Sequence, residues 1–355
     1  MKTTLVFVMV LLQLPLTFSL SANESALVQL KEHGVCQRCD LKGADLRMMD
    51  LRQADLRGAL LDHAILYNTD LSGARLEGAS LKGASFARAD LSGVNLQGQT
   101  LQRGKFSRTN LTGADLRQAN LQEANFQGAD LSGADLSGTN LSSALLSGSK
   151  LHGAILTDAI LDKADLRGLD LTEVASMAGV SFKGANLRLA KLSGLELEYI
   201  DFSEARMLKA DLSNSLLTHA VFTDTELKKA RFIDADLRQA NFRGARMNGV
   251  RLKGAKLQGA ILEAVEISGN LIDIDFSNAQ ISRSVFSGAN LEGASFRQAR
   301  LEFTDLEDAN LYAADFTDAV MHRCNLRKAN LRETVFDGVD LSGNLLEGVI
   351  GLGQE

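Results

Sequence analysis

Large apolar residues recur at every fifth position along nearly the whole chain. From Leu41 the series runs through Leu46, Leu51, Leu56, Leu61 and Leu66 without a break to Leu171. It slips by one extra residue before Met177, then resumes through Phe182, Leu187 and Leu192 to Ile267. It loses one residue before Leu271 and continues from Phe276 to Leu346. Two positions ahead of each large residue the side chain is mostly small, as at Ala44, Ala54, Ala59, Ala64 and Ala74. The residue just ahead is often Asp or Asn, as at Asp40, Asp45, Asp50, Asp55, Asn110 and Asn120, so the consensus is A-(D/N)-L-x-x.

Neither regular element can use this spacing. Five residues turn an α-helix by about 500°, so successive leucines would form no stripe. On a flat strand an odd period throws alternate leucines onto opposite faces. The chain must turn a corner once per repeat, so that every Leu and every Ala faces one shared interior. Such coils stack and bury their apolar residues against their neighbours. The phenylalanines set the coil length. Phe86, Phe106 and Phe126 are 20 apart, as are Phe182, Phe202, Phe222 and Phe242, and Phe276, Phe296, Phe316 and Phe336. Rings in such ladders stack if one coil is four pentapeptides, one per side of a square. The expectation is an all-β quadrilateral parallel β-helix of about 15 coils, roughly 70 Å long at the spacing of stacked strands.

The repeats over residues 36–350 closely resemble the pentapeptide-repeat family. That resemblance implies a right-handed quadrilateral β-helix, a solenoid with Leu/Phe and Ala pointing inward and the other three residues outward. The absence of Pro after Pro15 fits a continuous backbone ladder. Some exported cyanobacterial members are similar in placing a short helix and a Cys pair ahead of the repeats.

Interruptions of the pattern locate the remaining features. Residues 22–35 read as a capping α-helix over the N-terminal end: Asn23 or Ser25 caps it, Leu27, Val28 and Leu30 form its apolar side, and Gly34 ends it. The C-terminal residues, with the tail at 351–355, leave Leu345, Leu346, Val349, Ile350 and Leu352 near an open end. They read as a short plug, or as a contact for a second molecule. The extra residue near Thr172–Val174 predicts a bulge. Leu169, Leu195 and Ile200 replace the small inward residue nearby, so residues 169–200 read as a kink or a local widening. Gln99, at another inward position, needs a buried hydrogen-bond partner or must turn outward.

Composition adds a compartment and removes function classes. Residues 1–21, MKTTLVFVMVLLQLPLTFSLS, have a basic Lys2, an apolar run and small residues Ser19 and Ser21 before a cut after Ser21 or Ala22. This is the form of a secretory signal peptide; the alternative is an uncleaved anchor, for which the run is short. Export to a periplasm, a thylakoid lumen or the extracellular space is expected, with no stable membrane insertion after cleavage. The formal net charge is −6 with both signs interspersed, so no nucleic-acid partner is expected. Two zones stand out. Nine basic residues lie between Lys228 and Lys256 against Asp234 and Asp236, and six acidic residues lie between Glu302 and Asp318 with no basic one. They read as a mixed solvated surface, or as collars that dock a partner.

Candidate chemistry is sparse. Cys36 and Cys39 form C-x-x-C at the first repeat, on an inward Leu position and the following Ala position. In an oxidising compartment they read as a disulfide stapling the first coil. Buried free thiols and a catalytic dithiol are the alternatives, the latter without a surrounding thioredoxin-like βαβ pattern. Cys324 reads as a buried small residue. His33, His63, His152, His219 and His322 are dispersed without ligand spacing, so no metal site is expected. The many Asp residues before Leu are repeat residues suited to turn-side hydrogen bonds rather than catalytic pairs. No nucleophile-elbow, phosphate-loop or dinucleotide motif appears. The chain therefore reads as no enzyme, with no cofactor: an exported structural or protein-interaction rod, monomeric or an end-to-end dimer, whose protein partner the sequence does not name. Two alternatives stand beside it. One is a redox-responsive module built on Cys36 and Cys39. The other, implied by the family, is a DNA mimic acting on a type II topoisomerase; full mimicry over the expected length needs roughly 40 negative charges.

Overall fold

The computed structural model describes residues 22–352; the leader expected at 1–21 and the last three residues of the tail lie outside the described residues. Helix α1 spans Ala22–His33, and from Val35 onward the chain winds into stacked coils. Most residues ahead of a Leu position pair in parallel with a counterpart 20 residues on, as in Val35↔Asp55, Asp115↔Asp135 and Asn330↔Ile350, or 21 and 19 residues on across the two slips, as in Ile155↔Ser176 and Lys256↔Asp275. Four pentapeptides per coil, read from the phenylalanine spacing, is the observed geometry. Six stretches lengthen into three-residue strands: β1 (Arg246–Asn248), β2 (Ile261–Glu263), β3 (Glu266–Ser268), β4 (Gln280–Ser282), β5 (Arg300–Glu302) and β6 (Val320–His322). All pair in parallel, β1 with β3 and β2–β4–β5–β6 in that order.

The repeat around Leu136 shows why the coil forms. Asp135 donates its N–H to Ala114 O of the coil before (3.0 Å), and Leu136 donates to Ile155 O of the coil after (2.8 Å). Gly138 donates to Thr157 O (2.8 Å), and Thr139 closes the turn by donating to Leu136 O (3.1 Å). One N–H, on Ser137, has no backbone acceptor, and it donates to Oδ1 of Asp135 (3.0 Å). The consensus Asp or Asn is thus the acceptor for the one N–H that the coil leaves over. The second residue after Leu has positive φ, as in a type II turn, with Glu173 at the first slip the exception. Glycine is common there, and Arg, Gln, Asn and Asp also adopt it.

The interior is filled by the large and small inward residues, nearly all fully buried. The three phenylalanine ladders form as expected, with neighbouring rings parallel and centroids 4.6–5.4 Å apart. The pairing register assigns the three ladders to three different walls. Phe232 and Phe286 enter from walls opposite Phe222 and Phe276 and meet them edge-to-face at 5.7 and 6.0 Å. Inward polar residues find a common solution. Thr69, Thr109, Ser215 and Thr225 each donate to the carbonyl of the Leu-position residue 23 places earlier. Gln99 does the same through its amide, to Leu76 O at 3.2 Å, so it stays inward.

Both register slips have a structural basis. At the first, Ala175 donates its N–H to Ala154 O while Ser176 O accepts from Leu156. Two residues divide the bonds that one normally makes, which is a β-bulge. It sits just beyond the Thr172–Val174 segment where the sequence places it. Leu169 and Ile200 are taken into the core, and Leu195 is left half-buried. At the second slip Gly269 is at once the turn residue after Ile267 and the residue two places ahead of Leu271, and it lies exposed. Its φ of 122° is open essentially to glycine alone.

The ends differ from expectation. Helix α1 buries Ala26 and Leu30 against the first coil, whereas Val28 is exposed, because the inward stripe follows the four-residue spacing of Ala26 and Leu30. Asn23 and Ser25 lie inside the first helical turn rather than ahead of it. Asn23 Nδ2 instead donates to Lys42 O (3.2 Å), tying the helix to the coil. Gly34, at φ 64°, ends the helix as expected. At the other end no plug forms through Leu352: Ile350 and Leu352 are exposed and the inward residues Leu341 and Leu346 stay half-buried.

Gly269→Ala is expected to destabilise the protein by about 1–3 kcal/mol. Gly98→Asn, at an ordinary turn position with open space around it, should stay within about 0.5 kcal/mol. Urea unfolding midpoints of the two variants check this.

Candidate interaction surfaces

Because packing uses the inward residues, any site lies on the walls or at the ends. The walls carry a device that the repeat consensus does not reveal. Where Arg follows Leu, its guanidinium forks back onto the Asp ahead of that Leu. Arg47 Nε and Nη2 donate to Oδ1 and Oδ2 of Asp45 at 2.8 and 2.6 Å. Arg52 on Asp50, Arg57 on Asp55, Arg117 on Asp115, Arg167 on Asp165 and Arg238 on Asp236 repeat the geometry. The arginine bonds, with the backbone N–H of the same residue, hold the Asp45 and Asp50 carboxyls down to about 2. Asp55, Asp115, Asp165 and Asp236 are lowered by the same forks.

The charged zones are therefore less polarised than their sequences. In the acidic zone Glu302 pairs with Arg300, Glu307 with Lys328 (3.2 Å) and Asp315 with Arg297 (2.7 Å). In the basic zone Arg231 pairs with Asp211 (3.4 Å), Arg238 with Asp236 (2.6 Å) and Arg243 with Glu263. Lys228, Lys229, Arg246, Arg251, Lys253 and Lys256 form no ion pair within 4.0 Å among the described residues. The basic collar thus keeps most of its charge on the surface.

Cys36 and Cys39 lie at disulfide distance, their sulfurs joined and their Cα atoms 5.4 Å apart. Cys36 is fully buried beneath α1, its sulfur 3.4 Å from Ala26 O. Cys324 is buried, its thiol pushed up by that burial and directed at Leu301 O. The histidines do not come together: His152 bonds Glu173 (2.9 Å), His219 stacks on Tyr199, and His322 meets the edge of Phe303. No group of His, Cys, Asp or Glu fit to hold a metal occurs among the described residues. No helix there is long and apolar enough to cross a membrane.

Two open grooves adjoin each other where the bulge disturbs one wall. One, of about 530 Å³, runs from Val174 to Gly179 and up to Leu195, Glu196, Glu198 and Tyr199. The other, of about 640 Å³, continues past His219 along Arg238, Gln239 and Gln258. Glu198 and Tyr199 line both, and the Tyr199 ring stacks on His219 of the second. The sequence reading overlooks Tyr199, although a bulky aromatic at a glycine-rich turn position, one coil past a slip, is the available signal.

Two outcomes follow from this geometry. A folded carboxyl lowered below its ordinary value of 3.8 contributes stability above that value and loses it as pH falls toward 2. Urea midpoints should hold near neutrality and fall below about pH 4, and an Arg47→Gln, Arg52→Gln variant should fall less steeply. Separately, Cys36→Ser, Cys39→Ser should loosen the first coil by about 2 kcal/mol, or roughly 30-fold faster amide exchange. Exchange rates within residues 22–60, compared with those near the ladder at Phe202, measure it.

The comparisons with known proteins agree with the coil. A family model described as pentapeptide repeats matches in successive blocks, among them residues 39–78, 101–138, 139–174, 225–263 and 304–343. No curated protein matches. Among solved structures, HetL of the cyanobacterium Nostoc, involved in heterocyst differentiation regulation, is 27% identical; the match covers 69% of this chain and 98% of HetL, with a TM-score of 0.44. Rfr23 from Cyanothece is 31% identical over 36% of this chain and 92% of its own, with a TM-score of 0.16. A pentapeptide repeat protein of the Arabidopsis thaliana thylakoid lumen is 31% identical over 36% of this chain and 69% of its own, at 0.15. With the repeat matched along most of its length and four repeats closing each coil, this chain belongs to the pentapeptide repeat family.

Proposed function

We propose that the protein is an exported, non-catalytic rod that binds another protein end-on through its C-terminal coil. The difference between its two ends carries this reading. The N-terminal edge is closed by α1 and stapled by the disulfide. The last coil leaves Phe336, Leu341, Leu346 and Val349 half-buried and Leu345, Ile350 and Leu352 exposed through the end of the described chain. An open coil edge pairs a flat apolar core with unpaired backbone groups, the combination that strand edges otherwise cover. The form of residues 1–21 supports export, and a disulfide suits an oxidising compartment. The arginine forks favour this reading over duplex mimicry. They convert carboxylates that would have to imitate phosphates into neutral pairs, on a chain of net charge −6.

Cell fractionation and N-terminal sequencing test export: a mature chain beginning at Ala22 or Asn23 is expected, and unprocessed protein confined to the cytoplasm overturns it. Analytical ultracentrifugation tests the end. A second copy is the simplest surface of matching shape, so a concentration-dependent dimer is expected, reduced to monomer by Leu346→Asp. A wild type that stays monomeric at every concentration excludes self-association.

A further inference from the structure

The groove at the bulge has a built-in selectivity. Tyr199 is 71% exposed and stands at a turn tip, in the same column as Gly179 one coil earlier and His219 one coil later. His219 covers one face of the ring, with centroids 4.7 Å apart and planes 4° from parallel. On the other side Gly179 offers no side chain, and the Asp158 carboxylate lies where one would be. The space between is lined by apolar Val174, Met177 and Leu195 and by the carboxylates of Glu196 and Glu198. No basic residue lines it. Neither glutamate forms an ion pair among the described residues; Glu198 accepts the Thr218 hydroxyl at 2.9 Å.

The rest of the molecule shows what such a ring takes. Tyr67 and Phe303 are also exposed aromatics on turns. Each is covered by an arginine of the following coil, Arg88 at 5.8 Å and Arg323 at 5.6 Å from the ring centroid. At Tyr199 that place belongs to His219, and no cation of the chain stacks on the ring among the described residues. An apolar stem ending in a flat, delocalised cation matches every wall of the groove. The stem lies along Val174, Met177 and Leu195, the planar group stacks on Tyr199, and its N–H edges meet the carboxylates. A guanidinium fulfils this better than an ammonium, which neither stacks nor forks.

We propose that this groove receives an arginine side chain of a partner protein. The assignment rests on the protein-binding reading above and adds the chemistry of the partner; it does not depend on the C-terminal end, which ultracentrifugation tests by itself.

The test is an NMR titration of the purified protein, with ¹³C-labelled tyrosine, by N-acetyl-Gly-Arg-Gly-amide at low salt. The expected result is saturable shifts of the Tyr199 ring signals, with those of Tyr67 and Tyr312 unmoved. The isosteric citrulline peptide should bind about tenfold more weakly. Glu196→Gln, Glu198→Gln should weaken the arginine peptide by a similar factor, whereas Asp308→Asn on another wall should leave it unchanged. Equal response to the citrulline peptide overturns the proposal, as do shifts shared evenly by the three tyrosines or binding indifferent to the glutamate changes.

Discussion

The coil depends on where five N–H groups per repeat find acceptors. Three bond across to neighbouring coils and one closes the turn within the repeat, as at Asp135, Leu136, Gly138 and Thr139. The fifth has no backbone partner, and a side-chain oxygen two residues back, on Asp or Asn, accepts it. The residue carrying that N–H is half-buried or exposed in nearly every repeat, and repeats with Ser85, Lys105, Leu145 or Ile155 in place of Asp or Asn keep the same coil, so the bond is a preference rather than a requirement. The corner that satisfies it also aims every large side chain inward.

Once the backbone is arranged in this way, the core tolerates variety along its axis and little across it. Carbonyls at the Leu position keep a second lone pair facing the interior, which is why Thr69, Thr109, Ser215 and even Gln99 are accommodated there. Volume is regulated wall by wall. Phenylalanine ladders occupy different walls in succession, and opposed rings meet edge-to-face where two walls carry them at once. The two slips break this regularity. The bulge at Ala175–Ser176 lies beside half-buried Leu195 and the groove at Tyr199, whereas Gly269 absorbs the opposite change through its φ of 122°.

Much of this was legible in the residues. The period of five, the coil of four repeats, the ladders from Phe86 to Phe336, the Cys36–Cys39 link and the Asp/Asn turn bonds all follow from local rules applied many times. Errors fell where repetition stops. Val28 was placed on the buried side of α1, although the helix seats itself by Ala26 and Leu30. No plug forms through Leu352, and of the two readings of the acidic zone the mixed surface fits better than the collar, since half of its carboxylates pair with Arg297, Arg300 and Lys328 from outside its own stretch of sequence.

The sequence by itself determined the architecture, because the same five-residue constraint is stated dozens of times and only one backbone path satisfies it. Tertiary structure decided which outward side chains become neighbours. Residues 20 apart share a wall and stand one coil apart, so Tyr199 lies between Gly179 and His219, and Phe303 beneath Arg323. Whether a turn-tip aromatic is covered or left open depends on that stacking. No local reading of the chain contains it, since each member of the stack is an ordinary surface residue in its own repeat.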